Sequence, residues 1–336
     1  MPNILALDIG GANIKLADGA GYASSHPFAL WKSPEQLAEQ LAVCLAAAPP
    51  SGRIVVTMTG ELCDCYETKK QGVQAIVAAT MEAAAEKPVL FYQTTGQFVS
   101  AAEAAQNYLL TAASNWHALA TFAAKYCDGR PGMLIDIGST TTDIIPIENG
   151  KEVARGRTDP ERLGKGELAY LGVERTPVCA IVSHLRWRGI NCVAANELFA
   201  TTGDAYLLLG ELEEDLANTS TADGKSFTCD AAHTRMARMI CGDRELVSRD
   251  EVESFAAQVR ESQLKWLEHS FYQVLDGMSE MPDLFIASGQ GEFLVRPLLI
   301  HPKFAKKITS LNDRLGPQLS RCATAHALAV LASETT

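Results

Sequence analysis

Two short stretches of the chain carry the same chemistry-bearing pattern: Leu7-Asp8-Ile9-Gly10-Gly11-Ala12-Asn13-Ile14-Lys15 and Ile135-Asp136-Ile137-Gly138-Ser139-Thr140-Thr141-Thr142-Asp143. In each, an apolar run ends in an aspartate and enters a turn of glycine and small hydroxyl or amide residues. Such a turn lets backbone N–H groups approach phosphate oxygens. Gly10, Gly11 and Asn13 in one copy, and Gly138, Ser139, Thr140 and Thr141 in the other, are the candidate phosphate contacts, with Lys15 as a point charge. The aspartates would repel a bare polyphosphate. Their expected task is to hold Mg²⁺ through its waters, so that the cation bridges Asp8, Asp136 and phosphate. Either copy alone is as well read as a tight turn, but two copies in one context favour a clamp. A third segment, Phe285-Ile286-Ala287-Ser288-Gly289-Gln290-Gly291, runs from a strand into a Gly-rich turn suited to close backbone contact with a diphosphate. Alone it is a weak signal, because Leu294 stands where a dinucleotide fingerprint needs its third glycine.

The elements that must position these turns follow from the hydrophobic pattern. Segments around 3–8, 13–18, 53–58 and 88–92 are short apolar runs bounded by turn residues and read as strands, as do 133–136, 143–147 and 284–287. Ser33-Pro34 opens a helix whose Leu37, Leu41, Cys44 and Leu45 form one apolar face. Residues 68–85, 101–110 and 115–127 read as helices, the last capped by Ser114 or Asn115. The Gly129-Arg130-Pro131 break divides a first lobe, 1–128, from a second, 129–336. Long amphipathic and Ala/Leu-rich patterns cover 251–276 and 323–333, the last a candidate to pack back on the first lobe. Residues 213–250 read as a polar, turn-rich insertion.

At 336 residues, 47% hydrophobic and 21% charged, the chain can bury two sizeable cores. Its 40 acidic against 29 basic residues argue against a nucleic-acid or anionic-membrane partner. Small-molecule substrates are the expected partners, and homo-oligomer formation is left open. Nine scattered cysteines without metal-site spacing, no secretory leader pattern and no membrane-length apolar run point to a reducing, cytoplasmic setting.

The three glycine-rich segments together resemble the actin-like ATPase superfamily. That resemblance implies an α/β fold of two ribonuclease-H-like lobes, each a mixed sheet with helices, around a central cleft. Met58-Thr59-Gly60-Glu61-Leu62-Cys63-Asp64-Cys65-Tyr66-Glu67-Thr68-Lys69, Ser114-Asn115-Trp116, Arg175-Thr176-Pro177 and Ala222-Asp223-Gly224-Lys225-Ser226 resemble one branch, the hydantoinase/oxoprolinase-related proteins of tetrahydromethanopterin-linked one-carbon metabolism. The activity this implies is a transferase step of methanofuran or methylofuran biosynthesis. A tyramine- or tyrosine-type phenol attacks the methylene of aminomethylfuran diphosphate, forming an ether and releasing pyrophosphate.

Diphosphate departure needs its growing charge neutralised, which the hairpins, Lys15 and Mg²⁺ could supply. Glu61 is the candidate base for the phenolic proton, with Asp8 or Asp136 as alternatives, although a carboxylate there could equally cap a helix starting near Tyr66. Asp64, Tyr66, Trp116 and Arg175 are candidate substrate contacts; Trp187 is another aromatic that could stack on a ring, and large aromatics are commonly core. Cys63 and Cys65 read as structural thiols, and Gly224-Lys225-Ser226 as a solvated loop or lid. The wider superfamily offers other readings: an ATP-dependent kinase or ring-opening hydrolase, with ATP as cofactor, or a non-enzymatic nucleotide-dependent regulator.

Overall fold

A computed structural model describes residues 3–300, 304 and 308–335. The first sheet has strands β1 (Ile4–Ile9), β2 (Asn13–Ala17), β3 (Ala23–Pro27), β4 (Arg53–Met58), β5 (Val89–Tyr92) and β6 (Phe98–Val99), in the order β3-β2-β1-β4-β5-β6. The chain then forms β7 (Gly132–Ile137), β8 (Thr142–Glu148), β9 (Lys151–Glu152), β10 (Leu168–Ala169), the hairpin β11 (His184–Trp187) with β12 (Ile190–Val193), β13 (Leu284–Ser288) and β14 (Ile308–Ser310). The second sheet runs β10-β8-β7-β13-β14, with β9 on β8. Its five-strand path repeats β3-β2-β1-β4-β5 of the first sheet, two antiparallel pairings and then two parallel ones; β6 and β9 are additions without a counterpart. This is the mixed order of a ribonuclease-H-like lobe, present twice.

Strand alternation decides which face each residue takes. On β1, Leu5, Leu7 and Ile9 point outward and join Val56 and Met58 beneath the helices Leu37–Ala47 and Lys69–Ala84. Ile4 and Ala6 point inward, where Ala17, Val55 and Tyr92 complete an apolar floor. The second sheet's inner floor is Leu134, Ile145, Ile147 and Ile286. Between the floors lie two helices, Asn115–Ala123 and Ala323–Glu334. The C-terminal one sets Leu328, Ala329 and Ala332 on the first sheet and Ala323 and Ala327 toward the second. Its many alanines allow that close two-sided packing, and a fully buried leucine such as Leu328 contributes about 2 kcal/mol.

The helix at 37–47 buries Leu37, Leu41, Cys44 and Leu45 as its spacing predicts, although Pro34 opens a 3₁₀ turn before regular helix begins. The helix expected over 101–110 is broken at Asn107. Ser114 stands at the N-cap position of Asn115–Ala123, but its hydroxyl makes no capping bond and lies buried 2.7 Å from that of Thr57. The polar reading of 213–250 needs correction, because the helix Cys229–Arg238 buries Ala232, Met236 and Ala237 against Leu207, Val252 and Phe255. Its polarity misleads because Arg235 is itself buried, donating to Asp204 at 2.7 Å and Asp223 at 3.0 Å. Among the described residues no helix is long and apolar enough to cross a membrane.

Candidate functional site

The carboxyl ends of the two inner floors are where the apolar residues stop. Register places Asp8 between Lys15 on β2 and Thr57 on β4. In the second sheet Asp136 lies between Asp143 on β8 and Ser288 on β13. The turns match as well, with Gly10 N–H donating to the Asn13 carbonyl at 2.9 Å and Gly138 N–H to that of Thr141 at 2.8 Å. Asp8 is 8% exposed and its Oδ1 has no partner; burial pushes its carboxyl up, tempered by Lys15. Asp136 is pushed up to about 6 by burial, then by Asp143, and it feels the charges of Lys15 and Asp8. That influence, with the Lys69–Asp159 pair and the Arg175–Trp31 stack joining the two halves beside the turns, brings the hairpins together across the halves.

The halves differ in the charge opposite each aspartate. Where the first copy has Lys15, the second has Asp143, whose charge is met by the buried Arg162 at 2.7 Å. The Arg162 guanidinium lies over the Trp116 ring, 4.1 Å from its centroid. Trp116 is only 2% exposed and packs in the core between the sheets, so its ring supports Arg162 and presents no face to a substrate. The glycines at 289 and 291 are also spoken for. Gly289 has φ +88°, and a Cβ there would stand 2.3 Å from the Ile137 carbonyl oxygen and 2.8 Å from Asp136 Oδ1; one at Gly291 would meet the Ile137 side chain at 2.4 Å. Both allow β13 to close against β7, and Gln290 donates to Glu174 Oε1 at 2.8 Å. This segment packs on the second hairpin beside the Asp136 carboxylate.

The run 58–69 packs directly on the first hairpin. Thr59 N–H donates to the Ile9 carbonyl at 2.9 Å, a Cβ on Gly60 would lie 3.3 Å from Gly10 backbone, and one on Gly11 would lie 2.7 Å from Cys63 Sγ. Glu61 sits in a 3₁₀ turn, Gly60–Leu62, 1% exposed, with Oε2 unpartnered. Burial pushes its carboxyl up to about 7, against the pull of backbone N–H groups and Lys69. Glu61 caps no helix: the next begins at Lys69, and Thr68 is its cap, accepting from Gln71 N–H at 3.1 Å. Lys69 reaches across the cleft to pair with Asp159 of the second half.

Glu61 is held in place by Gly72, where a Cβ would stand 2.1 Å from the Glu61 carbonyl oxygen. Alanine at an ordinary helical glycine gains about 1 kcal/mol. Here Gly72→Ala is expected to cost about 3 kcal/mol through overpacking, seen as a lowered urea midpoint; a gain in stability would show that the contact is not tight.

The hydantoinase/oxoprolinase family model matches residues 53–329. The chain belongs to that family. It is 34% identical over 333 residues to the (4-{4-[2-(gamma-L-glutamylamino)ethyl]phenoxymethyl}furan-2-yl)methanamine synthase of Methanocaldococcus jannaschii, covering 98% of this chain and 97% of that protein. To the synthase of the same name from Methanococcus vannielii it is 30% identical over 203 residues, 59% of this chain and 89% of that one. Among solved structures it is similar to an archaeal actin homologue (14% identity, TM-score 0.47, all of both chains). Component A of the (R)-2-hydroxyglutaryl-CoA dehydratase of Acidaminococcus fermentans is another (12%, TM-score 0.46, 99% of both).

In this hydantoinase/oxoprolinase-family protein the fold brings together Asp8, Lys15, Asp136 and the partly exposed turn residues Gly10, Gly11, Asn13 and Gly138 to Thr141, with Glu61 and Lys69 beside them. Asp64 is exposed on the same loop, and Tyr66 is half-buried against the outer core of the first sheet, its hydroxyl pushed up to about 12 by burial. Cys63 is pushed up to about 11, mainly by burial, and so is a neutral thiol packed on Gly11. Trp187 stands apart on β11, donating to Glu251 at 3.0 Å. The Gly224-Lys225 turn is anchored through Asp223 to Arg235 and lies off the hairpins. Sequence reasoning misses Trp31, whose ring carries the Arg175 guanidinium 4.8 Å from its centroid. Nothing local marks it, since the pairing joins residues from the two halves.

Proposed function

We propose that this chain is an enzyme of methanofuran-type cofactor biosynthesis. In this reading it joins a tyramine- or tyrosine-type phenol to the methylene of aminomethylfuran diphosphate and releases pyrophosphate. The observation that carries the reading is near-full-length similarity to a synthase whose name describes a phenoxymethylfuran, the product of that ether bond. The site's chemistry supports it. The phenol's proton has a pKa of about 10 in water, and a buried carboxylate near 7, Glu61, is poised to take it as the oxygen attacks. Lys15 and the backbone donors of both turns face the leaving diphosphate.

A divalent cation fits the two facing aspartates, of which Asp8 has an orphaned buried oxygen. Among the described residues no three His, Cys, Asp or Glu side chains form a direct metal cage. Asp8 and Asp136 would therefore hold Mg²⁺ through its waters, as suits an ion that keeps its hydration. When bound, Mg²⁺ would neutralise charge on the departing diphosphate. The reading places the protein in the cytoplasm, where its scattered cysteines stay reduced.

The test is incubation with Mg²⁺, aminomethylfuran diphosphate and a phenolic amine or amino acid. Ether and pyrophosphate are expected in equal amounts by mass spectrometry and coupled assay. Absence of both, together with micromolar binding of ATP by calorimetry, would replace this function with a nucleotide-dependent one.

A further inference from the structure

Arg175 is an exposed cation with no carboxylate in ion-pair reach among the described residues, yet its backbone is held and one face of its guanidinium is covered. Its backbone N–H and that of Glu174 both donate to the Ser139 carbonyl at 3.0 Å, and Val173 N–H donates to Gly138 at 3.0 Å. Gly172 lies so close to the second turn that a Cβ there would stand 2.4 Å from Ser139 backbone. The indole beneath Arg175 belongs to the other half: Trp31 follows Leu30, whose N–H donates to the Gly11 carbonyl at 2.9 Å. The guanidinium thus bridges the two turns above the cleft. Cys63, packed on Gly11 and two residues from Glu61, feels the charges of both Arg175 and Glu61, so guanidinium and carboxylate border the same part of the first turn.

A guanidinium lying on an indole has one face covered, and its N–H edge is left free in a fixed plane. That edge matches a carboxylate in bidentate geometry. Resting on the function proposed above, we infer that Arg175, oriented by Trp31, binds the carboxylate of the phenolic acceptor and so turns its hydroxyl toward Glu61. Both acceptor classes carry such a group, the γ-glutamyl tail in one and the α-carboxylate of tyrosine in the other; tyramine has none.

The experiment compares γ-glutamyltyramine with tyramine, by calorimetry and by ether formation, in the wild-type chain, Arg175→Gln, Arg175→Lys and Trp31→Leu. The wild type is expected to bind γ-glutamyltyramine at least tenfold tighter than tyramine. Arg175→Gln should abolish that preference while leaving the KM for the furan diphosphate unchanged, and Arg175→Lys should restore part of it. Trp31→Leu should weaken it with the cation still present. An unchanged preference in Arg175→Gln overturns the inference. So does a rise confined to the KM of the furan diphosphate, which would assign the cation to the leaving group. If no variant forms ether but the carboxylate preference still depends on Arg175, the proposed reaction fails and the binding site stands.

Discussion

Glu61→Gln is expected to lower kcat by about 100- to 10,000-fold, the range a positioned general base supplies, with little change in the KM of either substrate. The isosteric amide keeps the turn at Gly60–Leu62 and its packing on Gly72 while removing the proton acceptor. In the wild type the base must be ionised, so kcat should rise with pH through about 7 and level off above it. The variant's residual rate should lose that limb. A profile that keeps its inflection near 7 in Glu61→Gln would move the base elsewhere, to Asp8 or Asp136.

Stability gives an independent reading of the same group. The folded carboxyl titrates near 7, above the ordinary glutamate value of 4.5, so the native state holds the proton more tightly than the unfolded chain. Its contribution is fully present below about 4.5 and is lost as pH rises through 7. At pH 8 the ionised, buried Glu61 should cost about 3 kcal/mol relative to a neutral side chain. Glu61→Gln is therefore expected to be more stable than the wild type at pH 8 and similar at pH 4, as measured by urea denaturation.

The parts legible in sequence are those fixed locally. The twin Asp-Ile-Gly turns announce themselves because strand end and turn residues are contiguous, and the inward direction of Asp8 follows from its alternation with Ile4 and Ala6. β3 is not legible: Ala23-Ser24-Ser25-His26-Pro27 has no apolar alternation, and it is a strand only because β2 offers it an edge. Gly289 and Gly291 carry the composition of a ligand loop, and their close packing on Ile137 becomes visible only with the partner strand in place. The same holds for Trp116, whose value is the buried Arg162 stacked on it. Trp31 and Arg175 meet only after both halves fold. Charge in a sequence suggests exposure, and Glu61 departs from that because the helix at Gly72 presses its backbone inward.

The second large effect is expected at the facing aspartates. Asp136→Asn should reduce pyrophosphate release by about 100- to 1,000-fold, the loss typical of removing one electrostatic contact to a transition state, and raise the Mg²⁺ concentration needed for half-maximal rate. Its fold should not suffer. Asp136 stands opposite Asp143 and feels Asp8, so removing its charge relieves repulsion, a gain of about 1 kcal/mol after allowance for its partial exposure. Asp8→Asn is expected to cost a similar factor in rate, although Lys15 opposite it then keeps an uncompensated charge. If both carboxylates hold one hydrated cation, the double variant should be scarcely slower than either single one, because the second substitution removes a ligand from an ion already lost. Losses that multiply would mean that Asp8 and Asp136 act separately, one of them directly on substrate. Unchanged Mg²⁺ dependence in both single variants would take the cation away from the hairpins altogether and leave Lys15 and the backbone amides as the groups that meet the diphosphate.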